Sequence, residues 1–250
     1  MTDSTLPTPL CAVFLDIGDT VMRPNPSWEH VYAIAFEEYG VEVEVEALRV
    51  ALRRAYHHGG FGFNAAFEAT EAASFSRAME IDRAAIAELG IEPMPESFFR
   101  RLSELFMVTS NWHVFPDASP ALEALRARGL VVGAVSNWVW QLPELLHALD
   151  LVSHFDLIVA SSRIGFEKPH PGIFQRALDE ANVRPNEAIH VGDHLDADVE
   201  GARGVGIQPV LIDRRGRFTP LDVPDGTPLI HSLAELIPIV DARLPARVAS

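Results

Sequence analysis

The chain has 250 residues, of which 48% are hydrophobic and 22% are charged, a composition typical of a globular protein with room for a core domain and an insertion. Its formal net charge of −15 at pH 7 argues against nucleic acid or an anionic membrane as a partner, because both bind basic surfaces. Cys11 is the single cysteine, which excludes a disulfide framework, and no apolar run reaches the roughly 18 residues of a membrane span. Since the N-terminus shows no leader pattern, we expect a cytoplasmic protein.

The first predicted element is a buried β-strand that ends at a pair of acids. Cys11–Asp16 is a short apolar run within the stretch CAVFLDIGDTV, and Asp19 follows with Gly18 between the two carboxylates. An apolar run bounded by Asp and Gly is typical of a strand that enters a turn. The pattern therefore predicts Asp16 at the carboxyl end of the first strand.

The next part of the chain, residues 24–112, has the hydrophobic periodicity of helices. Four segments carry it: WEHVYAIAFEEYG, ALRVALRRAYHH, AAFEATEAASFSRAME and ESFFRRLSELFMV. The alternating stretch VEVEVE (Val41–Glu46) is similar to a strand pattern, but it runs directly into a helical one, so we interpret it as a loop that enters a helix. We expect this all-helical insertion to cap the carboxyl edge of a sheet, where open α/β folds bind ligands.

The remainder of the chain alternates between strand and helix patterns. One helix is predicted in SPALEALRARG, with Ser119 as its N-cap and Gly129 as its stop. The alternation predicts an α/β fold with a Rossmann-like, doubly wound parallel sheet. We assign residues 1–23 and 113–250 to this core and residues 24–112 to an inserted all-helical cap domain. The further predicted strands are Leu130–Ser136, Leu157–Ala160, Ala188–Gly192 and Gln208–Ile212.

Polar residues stand at four predicted strand ends. Because the carboxyl ends of parallel strands meet in one crevice, we expect these side chains to share a site. Clustered carboxylates repel each other unless a cation joins them, and oxygen ligands without His or Cys suit Mg²⁺. The hydroxyl, amide and ammonium groups can then bind the oxygens of a phosphoryl group. The residues are Asp16 and Asp19 in FLDIGDT, Ser136 and Asn137 in AVSNW, Lys168 in GFEKPHPGIF, and Asp193 and Asp198 in HVGDHLDAD.

These four segments, in this order, resemble the haloacid dehalogenase (HAD) superfamily of aspartate-nucleophile hydrolases, in the branch with a helical cap after the first motif. The resemblance covers about Cys11 to Asp213. The stretches SNW, EKPHPGIFQRAL and HVGDHLDADVEGARGVG look especially similar to the haloacid dehalogenase-like hydrolase domain-containing protein 3 group. The resemblance implies a Mg²⁺-dependent phosphatase that acts on a small phosphate monoester.

The resemblance also implies roles for individual residues. Asp16 matches the nucleophile, which forms an aspartyl-phosphate. Ser136 matches the hydroxyl of the second motif, with Asn137 beside it for substrate binding. Lys168 matches the lysine that pairs with both the nucleophile and the phosphate.

The metal site implied by the resemblance combines Asp16, Asp193 and the backbone carbonyl of Gly18, with Asp198 as an additional acidic partner. Gly18 departs from the family pattern Asp-x-Asp-Gly-Thr, in which the second Asp protonates the leaving group and then activates water. Such acid–base help is typically worth about 10²–10⁴-fold, so its loss predicts slow hydrolysis or a restriction to good leaving groups. Asp19 could replace the missing acid, but hydrogen bonding within the turn explains Asp19 at least as well.

Two other functions stay open from the sequence. A 2-haloacid dehalogenase also lacks the second Asp and uses its nucleophile without a metal, although the acidic loop VGDHLDAD is of the metal-binding type. A non-catalytic phosphometabolite-binding module on the same fold would tolerate Gly18 as well. Asp198 has a second interpretation too, because an acid near the start of a helix is favoured by the helix dipole.

Overall fold

The computed structural model describes residues 9–58 and 66–244, and its centre is a six-stranded parallel sheet. With strands numbered along the chain, the order in the sheet is β5-β4-β1-β6-β7-β8. The chain therefore builds outward from β1 in both directions, which confirms the predicted doubly wound α/β sheet. The strands are β1 (Ala12–Leu15), β4 (Val131–Ser136), β5 (Leu157–Ala160), β6 (Ala188–Gly192), β7 (Gln208–Ile212) and β8 (Leu229–Ile230).

Helices cover both faces of this sheet because its central strand buries side chains on both sides. Val13 and Leu15 share a hydrophobic cluster with α5, α6 and α10, whereas Ala12 and Phe14 share one with α8 and α9 on the opposite face. A strand that is buried on both faces reads as a continuous apolar run, which is the pattern that predicted it. The helices of the core are α5 (Ala118–Arg126), α6 (Leu142–Ala148), α7 (Ser161–Ile164), α8 (Pro171–Ala181), α9 (Gly201–Gly204) and α10 (Leu236–Asp241).

A separate layer of four helices is inserted between β1 and the rest of the sheet. These helices have their own hydrophobic core, in which the rings of Phe36 and Phe98 lie 4.8 Å apart. The layer is the predicted all-helical cap. Its boundaries at residues 24–112 stay a prediction, and residues 1–8, 59–65 and 245–250 of the predicted domains lie outside the described residues. The helices are α1 (Trp28–Glu38), α2 (Val45–His58), α3 (Glu71–Glu88) and α4 (Glu96–Phe106).

The ends of the insertion are joined by two short strands that were not predicted. β2 (Met22–Pro24) and β3 (Trp112–Val114) pair antiparallel, with Pro24 opposite Trp112. A strand of three residues is too short to show periodicity, and its partner lies at the far end of the insertion, so no local pattern could reveal the pair. The cap thus leaves and re-enters the core at neighbouring positions.

Local details of the prediction were partly confirmed. Residues 41–44 form a loop and α2 begins at Val45, as predicted for VEVEVE. By contrast, α5 begins at Ala118 with Asp117 in the N-cap position, so the assignment of Ser119 as the N-cap was wrong. No helix within residues 9–58 and 66–244 is both long and apolar enough to cross a bilayer.

The cap packs on the carboxyl edge of the sheet. The hydroxyl of Ser74 in α3 accepts a hydrogen bond from the amide of Trp140, 3.0 Å away, in the loop after β4. Arg77, one turn further along α3, forms an ion pair with Glu167 at 2.6 Å in the loop before α8. These contacts place α3 beside the loops that carry the predicted site residues.

Candidate active site

A tight turn after β1 brings Asp16 to the carboxyl edge of the sheet. The amide of Asp16 donates to the carbonyl of Val191 at 2.8 Å, which extends the pairing of β1 with β6 by one residue. The Ile17 carbonyl accepts from the amide of Met22 at 3.1 Å, and the Asp19 amide donates to the Met22 carbonyl at 2.8 Å. Asp19 has a φ of 51°, in the left-handed region that Asp enters more readily than most residues. The turn therefore needs Asp19 for its backbone geometry.

One oxygen of the Asp16 carboxylate is firmly held and the other is available. Ser136, the last residue of β4, donates to Asp16 Oδ1 at 2.8 Å, and the ammonium of Lys168 donates to the same oxygen at 2.6 Å. Within the described residues, Asp16 Oδ2 accepts no hydrogen bond. The carboxylate is thus held in one orientation through Oδ1, which leaves Oδ2 available.

Lys168 is the only lysine in the chain, since every other basic side chain apart from histidine is arginine. Its ammonium is buried and contacts two carboxylates, Asp16 Oδ1 at 2.6 Å and Asp198 Oδ1 at 2.5 Å. Burial disfavours the charged form, but the two carboxylates outweigh it and hold the pKa of Lys168 above its usual value. Lys168 is therefore a fixed positive charge beside Asp16.

Asn137 positions the loop that carries this lysine. Its side-chain amide donates to the backbone carbonyl of Lys168 at 2.9 Å, and its side-chain oxygen accepts from the Lys168 amide at 2.6 Å. These two hydrogen bonds tie the segment after β4 to the segment before α8. The substrate-binding role of Asn137 stays a prediction.

Three carboxylates meet at the centre of the site. Asp16, Asp193 and Asp198 each offer one oxygen within 4.8 Å of the others. Burial and the charge of Asp198 raise the pKa of Asp16, although Lys168 opposes this. Burial and the charges of Asp16, Asp198 and Asp19 raise the pKa of Asp193 to about 7, although Arg217 lowers it. A small cation would relieve this repulsion, and an all-oxygen donor set fits Mg²⁺.

Both carboxylate oxygens of Asp198 are bound by protein groups. Besides Lys168, its Oδ1 contacts His190 Nε2 at 2.9 Å, and its Oδ2 accepts from the His194 amide at 3.0 Å. Burial raises its pKa, but the charge of Lys168 and the hydrogen bond from His190 outweigh burial and hold the pKa of Asp198 below its usual range. A Cβ on Gly192 would lie 2.1 Å from the Asp198 carboxyl carbon, so only glycine permits this close approach. Asp198 is therefore better placed to orient Lys168 than to bind a metal.

Asp19 and Gly18 lie on the cap side of the turn. The Asp19 carboxylate pairs with Arg215 at 2.7 Å and accepts from the indole Nε1 of Trp28 at 3.4 Å. A Cβ on Gly18 would lie 3.3 Å from Trp138 and 3.7 Å from Trp28. Asp19 is thus bound by Arg215 and Trp28, and Gly18 packs against two indole rings.

Several residues of the site were missed by the sequence analysis. Trp28 comes from the cap, and Arg215 and Arg217 come from the loop after β7, where Arg217 contacts the Asp193 carboxylate at 3.0 Å. No local pattern links these residues to the four motifs. His190, which contacts Asp198, was missed as well, and one signal for it was available: it is a titratable residue inside an apolar strand.

Comparisons with known proteins identify relatives over most of the chain. The family model for haloacid dehalogenase-like hydrolases matches residues 11–206. The haloacid dehalogenase-like hydrolase domain-containing protein 3 of Homo sapiens is 32% identical over 240 residues, which cover 90% of this chain and 92% of that protein. A phosphoserine phosphatase of Thermus thermophilus is 36% identical over 138 residues, which cover 53% of each chain.

Solved structures share the fold. A putative HAD-hydrolase, YfnB from Bacillus subtilis, was crystallised bound to magnesium and is similar with a TM-score of 0.71 at 18% identity, covering 94% of this chain and 100% of that one. A 2-haloacid dehalogenase from Pseudomonas syringae is similar with a TM-score of 0.63 at 24% identity, and the match covers 94% of this chain and 99% of that one. At these identities the likeness concerns the fold alone.

Proposed function

Because the chain belongs to the haloacid dehalogenase-like hydrolase family and is a hydrolase, we propose that it is a Mg²⁺-dependent phosphatase of a small phosphate monoester, with Asp16 as its nucleophile. One observation carries the proposal: Asp16 Oδ1 is held by Ser136 and Lys168, Oδ2 is available, and the Asp193 carboxylate lies in the same cluster of acids. The similarity to a phosphoserine phosphatase over about half the chain supports the same reaction class.

The residues present fit a bound Mg²⁺. Asp16 and Asp193 would hold the ion together with the backbone carbonyl of Gly18, and Asp198 would act as the additional acid that keeps Lys168 in place. When bound, the ion offsets the repulsion between a carboxylate nucleophile and a phosphate dianion. The magnesium bound to the Bacillus relative is consistent with this assignment.

The side chains supply the nucleophile and the groups that bind the phosphoryl oxygens. Lys168 and Ser136 bind phosphoryl oxygens and stabilise the charge that develops on them, with Asn137 keeping Lys168 in register. Asp16 Oδ2 attacks phosphorus, the bond from phosphorus to the leaving oxygen breaks, and an aspartyl-phosphate remains. Water then attacks the same phosphorus atom, phosphate departs, and the Asp16 carboxylate is regenerated.

Residues 24–112 act as the cap that controls access to this site. Trp28 from α1 and Ser74 from α3 already contact the turn and loops of the core, so the cap is positioned to choose the substrate by contacts beside Asp16. The net charge of −15 and the single cysteine support a cytoplasmic enzyme with a small-molecule substrate and with neither nucleic acid nor a membrane as partner.

The proposal is tested by turnover of p-nitrophenyl phosphate in Mg²⁺ and in EDTA, beside halide release from 2-chloropropionate. We expect phosphate release that requires Mg²⁺, is abolished by Asp16→Asn, and is unchanged in Asp196→Asn, an exposed acid of the same loop as Asp193. Activity that survives EDTA or Asp16→Asn would overturn the proposal. Halide release without a metal would favour the dehalogenase, and inactivity on both substrates and on a panel of phosphometabolites would favour the binding module.

A further inference from the structure

The immediate surroundings of Gly18 are apolar rather than acidic. A Cβ at this position would meet Trp138 at 3.3 Å and Trp28 at 3.7 Å, and the two indole rings lie 5.8 Å apart between centroids. Both side chains are partly exposed. An apolar group beside the turn that follows Asp16 would therefore contact the indole rings. It would meet no carboxyl group at position 18, because that residue is glycine.

The neighbouring acidic and basic groups are poorly suited to protonate a leaving group. Asp19 is bound by Arg215 and Trp28, and Asp198 is bound by Lys168. The Lys168 ammonium is itself directed at two carboxylates, Asp16 at 2.6 Å and Asp198 at 2.5 Å. Asp193 pairs with Arg217 and is the proposed metal ligand. Among the described residues, and apart from the two chain neighbours of Gly18, only the two indole rings lie within 4 Å of a Cβ at this position.

This arrangement has a chemical consequence for the substrate. An alkoxide is a poor leaving group and needs a proton as the bond to phosphorus breaks, whereas a phenolate departs without one. We propose that this site hydrolyses aryl phosphates, an inference that rests on the proposed function. In these monoesters the leaving group departs unprotonated, and its ring packs against Trp28 and Trp138.

The reaction balances without a proton donor. Asp16 Oδ2 forms a bond to phosphorus, and the pair of electrons in the bond from phosphorus to oxygen leaves with the phenolate, which takes a proton from bulk water. Water then attacks the aspartyl-phosphate and H₂PO₄⁻ leaves, so both protons of that water depart with the phosphate and Asp16 returns as a carboxylate. The hydroxide left by the first proton transfer neutralises H₂PO₄⁻ to HPO₄²⁻.

The same lack of an acid–base group slows the second step. Water attacks the aspartyl-phosphate without a side chain to take its proton, so this intermediate is expected to accumulate whenever the leaving group departs quickly. An aryl phosphate should then give a burst of phenolate, about one per active site, before the steady state begins.

The test is a series of substituted phenyl phosphates beside simple alkyl phosphates, all with Mg²⁺. We expect kcat/KM to fall steeply as the leaving-group pKa rises, with alkyl phosphates about 10²–10⁴-fold below p-nitrophenyl phosphate, the range of the missing acid–base contribution. We also expect kcat to level off among the best leaving groups and a burst to appear there. Equal kcat/KM for alkyl and aryl phosphates would overturn the inference while leaving the phosphatase intact. Phosphate release from no substrate in the series would instead refute the proposed function.

The contribution of the rings is tested by a matched pair of substrates and a matched pair of variants. Phenyl phosphate should have a lower KM than the phosphate of a fluorinated alcohol of similar acidity. Trp138→Leu should remove this preference, whereas Trp140→Leu, in the same loop but with its ring beside Arg163, should keep it. A wild-type enzyme without the preference would overturn the aromatic part of the inference, and that measurement needs no folded variant.

Discussion

The ammonium of Lys168 donates a hydrogen bond to the carboxylate of Asp16 at 2.6 Å, although 152 residues separate them. The same ammonium contacts Asp198 at 2.5 Å, so one cation balances two buried carboxylates that come from segments following different strands. Buried ion pairs are costly to break on one side, because the remaining charge loses both its partner and its water. The only lysine of the chain is therefore expected to support the fold as well as the chemistry.

Replacing Lys168 by Met should lower the free energy of unfolding by about 3–5 kcal/mol, since two buried carboxylates are left without a counter-charge. Urea unfolding measures the loss. The double variant Lys168→Met with Asp198→Asn should be more stable than the single variant, because one orphaned charge is removed. If the two changes simply add, the coupling between Lys168 and Asp198 is refuted.

Replacing Lys168 by Arg should keep the charge and most of the stability but lose most of the phosphatase activity. A guanidinium is planar and broader than an ammonium, so it cannot place one compact charge within hydrogen-bond distance of both carboxylates and the phosphate. Initial rates with p-nitrophenyl phosphate measure this effect. Activity near that of the wild type would show that the site needs only a positive charge here.

Gly18→Asp should raise kcat for an alkyl phosphate, by up to about 10²-fold, if the missing acid limits the rate. The φ of Gly18 lies outside the left-handed region, so the backbone accepts a side chain, and the indole of Trp138 has to move by a few tenths of an ångström. Gly18→Asn is the matched control, because it has the same shape without the acid and should not raise the rate. Equal rates in both variants would mean that a proton donor at residue 18 is not what the enzyme lacks.

His190 is expected to position Asp198. Its Nε2 lies 2.9 Å from Asp198 Oδ1, and its ring packs edge-on against Phe174 with centroids 5.2 Å apart. His190→Phe keeps an aromatic ring in this place but removes the hydrogen bond, which should lower kcat about tenfold with little change in KM. His190→Gln, which retains a donor, should recover part of kcat. A wild-type kcat in the Phe variant would exclude the positioning role.

Asp213 should stabilise the protein in a way that depends on pH. Its carboxylate is buried and accepts hydrogen bonds from the amides of Arg215 at 3.2 Å and Phe218 at 2.8 Å. Burial raises its pKa, but these hydrogen bonds and Arg217 outweigh burial and hold the pKa of Asp213 below its usual value. A depressed folded pKa stabilises the protein above the unfolded pKa of about 4 and loses this effect as pH falls through the folded pKa.

Asp213→Asn is therefore expected to cost about 1–3 kcal/mol of unfolding free energy at pH 7, with a difference from the wild type that shrinks as pH falls below about 4. Urea unfolding at several pH values measures it. The exposed control Asp196→Asn should change the free energy of unfolding by less than about 0.5 kcal/mol. A deficit in Asp213→Asn that stayed constant with pH would mean that the carboxylate charge does not stabilise the loop.

The parts of the molecule that the sequence could predict are those that depend on local pattern. Five strands of the sheet were predicted from apolar runs, since burial on both faces leaves a continuous signal, and Asp16, Ser136 and Asp193 were located because each ends or directly follows such a run. The placement of Lys168 at a strand end was wrong, because helix α7 separates it from β5. The paired strands β2 and β3, in which Pro24 lies opposite Trp112, were missed because the strands are short and far apart in the sequence.

The side chains around Gly18 could not be predicted from the sequence either. The absence of a second Asp was visible, but the rings that line the space come from the cap and from the loop after β4, at Trp28 and Trp138. Nothing in the spacing of these residues connects them, since they meet through tertiary packing alone. The structure therefore identifies the side chains that lie beside the position of the missing acid. A leaving group would contact these side chains.

The most direct test of the account is to trap the intermediate on Asp16. The enzyme is mixed with Mg²⁺ and p-nitrophenyl phosphate, quenched in acid within one turnover and treated with borohydride, which reduces an aspartyl-phosphate to homoserine. We predict homoserine at position 16 by peptide mass spectrometry, dependent on Mg²⁺ and absent in Lys168→Met. Phosphate release by the wild-type enzyme with residue 16 unmodified, and retained in Asp16→Asn, would contradict the account.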